Sequence, residues 1–346
     1  MKLQTTIIAA ALVLASCGGN QHQADDPLAD SGRTQRTENL LHNLKALGDS
    51  AVYLFGHHDD TVCGIGWEAD YTADSTVHQR SDVKSVCNDF PALLGFDLSG
   101  LERGDTVNLD GIPFSRIRQE AIAHYDKGGM VTLSWHLDSP LQEPWLDSVA
   151  DFLNSLKTPY GVRVPVLFRP CFGRLAPEQY KAQWQTTVDR LKAQDVVNAL
   201  YAYTPSTEPD GDEANYMACY PGDDVIDLLG LDSYCIAPDA DTTQIARYAA
   251  LLDKNLAMIC QLAKQRQKAA ALTETGYDAL KTPDWWTHTL APVLAKHTVC
   301  YVLVGRNAHY TYFFAPYPGQ QSTSDFIRFY NDKRTLFLSD LNGLYL

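Results

Sequence analysis

One strand–helix–strand unit of this chain reads MVTLSWHLDSPLQEPWLDSVADFLNSLKTPYGVRVPVLF over residues 130–168. Its first part, 130–135, is a short apolar run typical of a strand that is buried on both faces. The segment 145–156 then has apolar residues at helical spacing, and 164–168 is a second apolar run. This order predicts two parallel neighbouring strands joined by a crossover helix.

The same unit recurs along the chain. Strands are predicted over 51–55, 92–96, 130–135, 164–168, 199–203, 225–231, 270–273 and 301–304. Helices are predicted over 114–126, 145–156, 177–194, 243–267 and 285–296. Eight such units in ~300 residues predict an α/β protein with one (β/α)8 TIM barrel. A doubly wound open sheet is the competing fold, but the Gly-rich turn that such folds carry after the first strand is absent.

The first 38 residues read differently from the rest. Residues 1–16 contain an apolar run that is too short for a membrane-spanning helix, which needs ~20 residues. The sequence LASC at 14–17 resembles a bacterial lipobox, whose cysteine becomes the acylated first residue. We therefore expect a lipoprotein signal peptide over 1–16, lipidation at Cys17, a flexible polar tether over 17–38 and the barrel over 39–346. An ordinary signal peptide with an accidental cysteine is the alternative.

Composition narrows the range of partners. The chain has 28 Lys and Arg against 42 Asp and Glu, a net charge of −14. This balance argues against nucleic acid and against docking on anionic lipid headgroups, so the lipid anchor is the only membrane contact that we expect. The predicted location is the outer membrane or cell surface of a bacterium. We expect a monomer without a cofactor.

Histidines and cysteines offer two further possibilities. The run HHDD at 57–60 contains metal-ligand types, but adjacent residues at a strand end point in different directions, so we expect no metal. No two cysteines have the CxxC spacing of a zinc site. An exported protein can form disulfides, and Cys63 with Cys87 is the pair that we favour.

Polar residues follow the predicted strands, and the carboxyl ends of barrel strands carry the functional groups of such folds. Glu274 follows the seventh strand, where a carboxylate needs a partner or solvent. Arg169 follows the fourth strand and is expected to brace a carboxylate, with Glu274 as a candidate. Trp135 and His136 either line a sugar subsite or belong to the barrel core. Tyr234 either hydrogen-bonds the catalytic carboxylate or caps the barrel. Carboxylates and aromatic rings together suit a carbohydrate ligand.

Several motifs in order extend this interpretation. They are GHHDD at 56–60, SWH at 134–136, FRP at 168–170, GLDSY at 230–234, LTETG at 272–276, RNA at 306–308 and FFAPYPG at 313–319. Their combination resembles glycoside hydrolase family 26, which consists mostly of retaining β-mannanases on a (β/α)8 barrel. The resemblance implies β-mannan, galactomannan or glucomannan as substrate.

Roles for individual residues follow from the resemblance. Glu274 matches the nucleophile, Tyr234 the tyrosine that hydrogen-bonds it, and Arg169 the arginine that precedes the acid/base segment. Together with Arg169 and Tyr234, the predicted substrate contacts are His136, Trp67, Trp135, Arg306 and Asn307.

Two departures from the family pattern bear on activity. After Arg169 and Pro170 the family continues with His-Glu and a Trp-rich loop, whereas this chain continues with CFGR at 171–174. No acid/base residue is therefore identified. Gly305 stands where the family usually has a tryptophan. We expect either a β-mannan hydrolase of the endo-1,4 type with much reduced activity, or an inactive surface lipoprotein that binds mannan.

Overall fold

The structure is a computed structural model that describes residues 26–137, 139–206, 208–236 and 241–346. The predicted signal peptide and the predicted lipidation site at Cys17 lie outside the described residues. They therefore remain predictions.

Eight parallel strands close into a barrel. They are β1 (Tyr53–His58), β2 (Leu93–Asp97), β3 (Met130–His136), β4 (Val166–Cys171), β5 (Ala199–Tyr203), β6 (Leu228–Cys235), β7 (Ala269–Tyr277) and β8 (Tyr301–Val304). Each strand pairs with the next one along the chain, and β8 pairs with β1 to close the ring. The predicted (β/α)8 barrel is confirmed.

Helices surround the barrel. Those of the described residues are α1 (Gln35–Asp49), α2 (Asp82–Cys87), α3 (Phe114–Asp126), α4 (Trp145–Ser155), α5 (Pro177–Ala193), α6 (Glu213–Met217), α7 (Thr242–Arg266), α8 (Ala291–Leu294) and α9 (Thr323–Tyr330). After α1, one of them follows each barrel strand. The predicted helix 285–296 is a π-helical turn, Trp286–Leu290, followed by the short α8. Three short strands lie beside the barrel: Cys63–Gly64 pairs with Trp67–Glu68, and Thr335–Leu336 pairs with β1.

Side chains on each strand alternate between the barrel interior and the helix layer. On β3, Leu133 and Trp135 belong to the apolar cluster that includes α4, whereas Met130 belongs to the cluster inside the barrel. Ser134 and His136 lie on the same face of the strand as Met130. The strand therefore presents His136 to the interior at the carboxyl end of the barrel.

The amino-terminal end of the barrel is covered by α1. Leu40 and Leu44 of this helix are buried in the same cluster as the interior strand residues. The segment before α1 is also held in place, because Arg33 donates two hydrogen bonds, of 2.8 and 2.7 Å, to Asp227. Thr34 caps α1 and is buried. Residues 33–38, the last part of the range predicted as a tether, therefore belong to the folded unit.

An irregularity in β7 determines the direction in which the Glu274 side chain points. In the pairing of β6 with β7, Leu231 lies opposite Leu272 and Asp232 lies opposite Glu274. Thr273 is thus an extra residue in β7, a β-bulge. Because of the bulge, the consecutive residues Thr273 and Glu274 both reach the interior, where both contact neighbouring side chains. A regular strand would have turned Glu274 toward the helices.

Three smaller findings within the described residues concern a disulfide, membrane-spanning helices and metal ligands. Cys63 and Cys87 do not form the predicted disulfide, since each thiol contacts backbone carbonyls instead, at 3.9 Å from Asp59 and 3.3 Å from Val83 respectively. No helix of the described ranges is long and apolar enough to cross a membrane. No group of three or more His, Cys, Asp or Glu side chains in these ranges has the arrangement of a metal site.

Candidate active site

Glu274 lies at the mouth of the barrel with both carboxylate oxygens occupied. Its Oε1 accepts a hydrogen bond from Arg169 Nη2, and its Oε2 accepts one from the Tyr234 hydroxyl at 3.0 Å. The side chain is 19% exposed, so it is reachable from the cleft. The predicted contacts of Glu274 with Arg169 and Tyr234 are both present.

Arg169 holds a second carboxylate beside the first. Its Nη1 donates to Asp232 Oδ2 at 2.6 Å, while the other oxygen of Asp232 accepts from the Thr273 hydroxyl at 2.8 Å. The Arg169 side chain is only 3% exposed. A buried guanidinium is stable only when it is paired, and here it is paired with two anions.

The pKa values of Glu274 and Asp232, the two acids paired with Arg169, are shifted in opposite directions. Burial alone would raise the pKa of Glu274, but the positive charges of Arg169, His58 and His136 bring that pKa below its ordinary value. Burial and the charge of Glu274 raise the pKa of Asp232, against the opposing effect of Arg169. Glu274 is therefore held ionised, the state that a nucleophile requires.

A second polar group faces the same cleft from β3. His136 Nδ1 lies 2.6 Å from Asp97 Oδ2, and this oxygen also accepts a hydrogen bond of 2.8 Å from the Ser134 hydroxyl. The His136 side chain is 45% exposed. Cys171, its register partner on β4, also contacts the imidazole. The structure thus places His136 at the cleft, as predicted for a sugar contact, although its contact with a sugar remains a prediction.

Arg306 lies at the rim near β1. Its guanidinium pairs with Asp110 and lies 3.7 Å from Asp59 Oδ2, and the side chain is 20% exposed. His58 pairs with the same Asp59, at 3.3 Å. Arg306 therefore combines a structural role with partial access to the cleft, and its role in substrate binding remains a prediction.

Trp135 was predicted to be a substrate contact, and the structure contradicts this. Its side chain is fully buried and points away from the cleft into the helix layer, where it packs against Phe168 and Phe172. The indole Nε1 donates to Glu102 at 2.9 Å. The alternation of the strand explains the placement, because His136 faces the interior and its neighbour must face outward.

Asn307 is likewise not a direct substrate contact. It is fully buried, and its Oδ1 accepts hydrogen bonds from the backbone N–H groups of Phe314 and Ala315, both at 3.0 Å. Its Nδ2 donates to Asp82 at 2.9 Å and to the carbonyl of Ala315 at 3.1 Å. The amide fixes the loop after β8 and leaves no polar atom for a sugar.

Asn307→Ala is therefore expected to lower the free energy of unfolding by about 3 kcal/mol, because several buried polar groups lose their partner at once. Urea denaturation followed by tryptophan fluorescence measures this effect. Asn331→Ala is the matched control: its amide donates one exposed hydrogen bond to Ile327, so a loss below about 1 kcal/mol is expected. Unchanged stability together with a raised KM would instead favour a role in sugar binding.

Trp67 lies in the small hairpin beside β1. Its Nε1 donates to Asp82 Oδ1 at 2.8 Å, and the guanidinium of Arg80 lies 4.8 Å from the ring centroid. Gly64 packs so closely that a Cβ on it would lie 2.2 Å from Nε1. The ring is partly exposed, and stacking on a distant sugar remains a prediction for it.

Comparison with known proteins relates this geometry to a family. The model of glycosyl hydrolase family 26 matches residues 29–146 and 144–278. The chain belongs to glycosyl hydrolase family 26. Its fold resembles that of a beta-mannanase of the same family from Bacteroides ovatus, with 39% identity, a TM-score of 0.82, and coverage of 91% of this chain and 98% of the other. It also resembles a double mutant of an endo-beta-1,4-mannanase from Cellulomonas fimi, with 26% identity, a TM-score of 0.77, and coverage of 91% and 78%.

Two curated relatives are both named mannan endo-1,4-beta-mannosidase. A mannan endo-1,4-beta-mannosidase of Bifidobacterium adolescentis is 27% identical in an alignment 289 residues long that covers 72% of this chain and 28% of that protein. One of Thermothelomyces thermophilus is 28% identical in an alignment 214 residues long that covers 47% of this chain and 40% of that protein. This family 26 chain therefore spans less than half the length of these two relatives.

The segment after Pro170 is short in this family 26 chain. Cys171 ends β4, Phe172 is buried in the core against Trp184, and α5 begins at Pro177. The first carboxylate along this stretch belongs to Glu178, which is 87% exposed and pairs with Lys181 at 3.1 Å. Glu178 therefore serves the first turn of α5, where a negative charge is favourable.

Packing against Phe314 explains why position 305 is a glycine in this chain. A Cβ on Gly305 would lie 2.7 Å from a ring atom of Phe314, so any larger residue would displace this ring. Phe314 is itself buried and meets Tyr234 edge to face, with the ring centroids 5.3 Å apart. The space at the position of the family tryptophan is thus occupied by a phenylalanine from the following loop.

Two site residues received no individual role in the predictions: Asp97 and Asp232. Both lie at the ends of barrel strands, Asp97 beside His136 and Asp232 beside Glu274. Counting alternate positions back from Tyr234 would have identified Asp232 as an interior residue. Asp97 was detectable as the last residue of a strand next to β3.

Proposed function

We propose that this chain is a retaining glycoside hydrolase that cleaves β-1,4-mannosidic bonds within β-mannan, galactomannan or glucomannan. The observation that supports the proposal most directly is Glu274 itself, ionised, reachable from the cleft and oriented by Arg169 and Tyr234. In the retaining mechanism such a carboxylate attacks the anomeric carbon and forms a covalent glycosyl-enzyme. The names of the relatives supply the choice of mannan.

We further propose that the activity is low. A positioned general acid contributes about 10²–10⁴-fold to such reactions, and the segment 171–174 contains no carboxylate. Without a carboxylic acid in this segment, cleavage of an ordinary sugar leaving group depends on whatever other proton donor the cleft supplies, whereas a leaving group that departs without a proton is cleaved independently of any donor.

Two assays test this function. Release of reducing ends from galactomannan, with xylan and cellulose as control polysaccharides, tests the substrate class. Incubation with a dinitrophenyl 2-deoxy-2-fluoro-β-mannoside followed by peptide mass spectrometry tests the nucleophile, and the label is expected on Glu274. Absence of both reducing ends and label would contradict the proposal.

The alternative function is mannan binding without cleavage, which the missing carboxylate after Pro170 favours. Affinity electrophoresis in mannan-containing gels detects it. Retarded migration of a protein that releases no reducing ends and takes up no label would support the binding function.

We also propose that the chain is a monomer held by lipid on Cys17 at the outer membrane or cell surface of a bacterium. The lipobox-like sequence LASC supports the anchor. Incorporation of labelled palmitate in the wild type, and its loss in Cys17→Ser, is the expected result. Sedimentation of the soluble domain tests the monomer.

A further inference from the structure

Hydrolysis by Glu274 raises the question of which group supplies the proton to the departing oxygen. Asp232 is poorly suited. Both of its oxygens accept hydrogen bonds, from Arg169 and Thr273, and it lies beside Glu274 on the neighbouring strand rather than across the cleft. A donor for the leaving group has to reach the bond from another side of the sugar.

His136 occupies such a position. The barrel is a ring of eight strands in chain order, so β3 and β7 are four strands apart and face each other across the mouth. His136 is the last residue of β3 and projects into the interior. Its register partner Cys171 ends β4, the strand after which the short segment begins.

The imidazole is also held in a defined orientation. Asp97 Oδ2 binds Nδ1 at 2.6 Å, and Asp97 is fixed in turn by the Ser134 hydroxyl and by the backbone N–H of Ser99, both at 2.8 Å. A carboxylate on Nδ1 orients the ring and stabilises its protonated form. With 45% of the side chain exposed, the ring is accessible from the cleft.

We propose that His136, oriented by Asp97, is the acid/base residue of this chain, a role that rests on the proposed function. In the first step Glu274 forms a bond to the anomeric carbon, the glycosidic C–O bond breaks, and the imidazolium proton passes to the leaving oxygen. In the second step the now neutral imidazole takes a proton from water, whose oxygen attacks the anomeric carbon and displaces Glu274. The imidazolium and the free carboxylate are thereby restored.

The charges around the ring agree with a proton donor. Asp97 on β2 and Cys171 on β4 favour the protonated ring, and they are joined at longer range by Asp232 and Glu274. Arg169 on β4 and His58 on β1 are neighbouring cations; Arg169 is already paired with the two carboxylates of the site, and His58 is paired with Asp59. Cys171 and Asp97 raise the pKa of His136, against the effect of burial.

The test compares leaving groups. In His136→Ala, kcat/KM on mannan is expected to fall by about 10²–10⁴-fold, and kcat/KM on a dinitrophenyl β-mannoside by much less, because dinitrophenolate leaves without a proton. Added azide is expected to yield β-mannosyl azide with the variant, since an anion can attack the glycosyl-enzyme without a general base. His288→Ala, which removes an exposed histidine from the outer surface, is the matched control and forms no azide product.

Each other outcome has a distinct meaning. Equal losses on both substrates without an azide product would reduce His136 to a binding residue and overturn the inference. The inference is also overturned if the larger loss on mannan and the azide product appear in Asp138→Asn or Asp239→Asn, two acids outside the described residues, and not in His136→Ala. A wild-type protein that labels at Glu274 but never cleaves mannan would also overturn it while leaving the nucleophile intact. Failure of the proposed function is distinguishable, because then the wild type shows neither label nor cleavage.

Discussion

Glu274→Gln is expected to lower kcat on a dinitrophenyl β-mannoside by about 10⁴–10⁶-fold. The amide keeps the size and the hydrogen bond from Tyr234 but cannot attack the anomeric carbon. The activated substrate is the appropriate one, because its cleavage does not depend on a proton donor and so measures the nucleophile alone. Stopped-flow release of dinitrophenolate gives the rate directly.

Two controls accompany this measurement. Glu178→Gln changes an exposed carboxylate in the first turn of α5 and is expected to leave the rate within twofold of wild type. Circular dichroism of Glu274→Gln shows whether the fold is retained. A folded Glu274→Gln protein that still releases dinitrophenolate at the wild-type rate would remove Glu274 from the mechanism.

Arg169→Met is expected to lower the free energy of unfolding at pH 7 by about 3 kcal/mol, because it leaves two partly buried carboxylates side by side without their buried cation. Activity is expected to be lost as well, since Glu274 is no longer oriented. Chemical denaturation measures the first effect. Arg169→Lys, which keeps the charge but not the two-pronged geometry, is expected to recover part of the stability and little of the activity.

The pH dependence of Arg169→Met follows from the same contacts. Arg169 lowers the pKa of Glu274 and opposes the rise in the pKa of Asp232, so its removal raises both values. A raised pKa in the folded state means that folding disfavours the ionised acid. Protonation of the acid at low pH removes this penalty, so the free energy of unfolding recovers as the pH falls. The stability deficit of the variant should therefore shrink as pH falls, and the acidic limb of its kcat/KM profile should move to higher pH.

Arg190→Met is the control for this comparison. Arg190 pairs with Asp147 at 2.8 Å on the exposed face of α5, where solvent screens the charges, so little change in stability at any pH is expected. An Arg169→Met protein as stable as Arg190→Met would show that the buried ion pairs contribute nothing to the fold.

Much of the architecture could be predicted from local patterns. The limits of β5 and β8 agree with the predicted strands 199–203 and 301–304, and α3 agrees with 114–126. Apolar runs bounded by polar residues suffice for this, because a parallel strand in a barrel is buried on both faces. The contacts of Glu274 with Arg169 and Tyr234 were also predicted.

Errors occurred where side-chain direction depends on neighbouring strands. Trp135 and Asn307 were assigned to the substrate because they adjoin cleft residues in sequence, yet both are fully buried and bonded within the protein. The predicted disulfide between Cys63 and Cys87 failed for a related reason, since spacing along the chain does not report where two thiols point.

Local patterns therefore suffice to predict the eight strand–helix units and the residue types at their ends, because burial and helical periodicity are local properties. Which of those residues meet depends on contacts between distant parts of the chain. The bulge at Thr273 turns Glu274 inward, ring closure places β3 opposite β7, and pairing with Asp97 orients His136. Strand register and barrel closure arise from hydrogen bonds between strands that are far apart in the chain, so a local sequence pattern does not predict them.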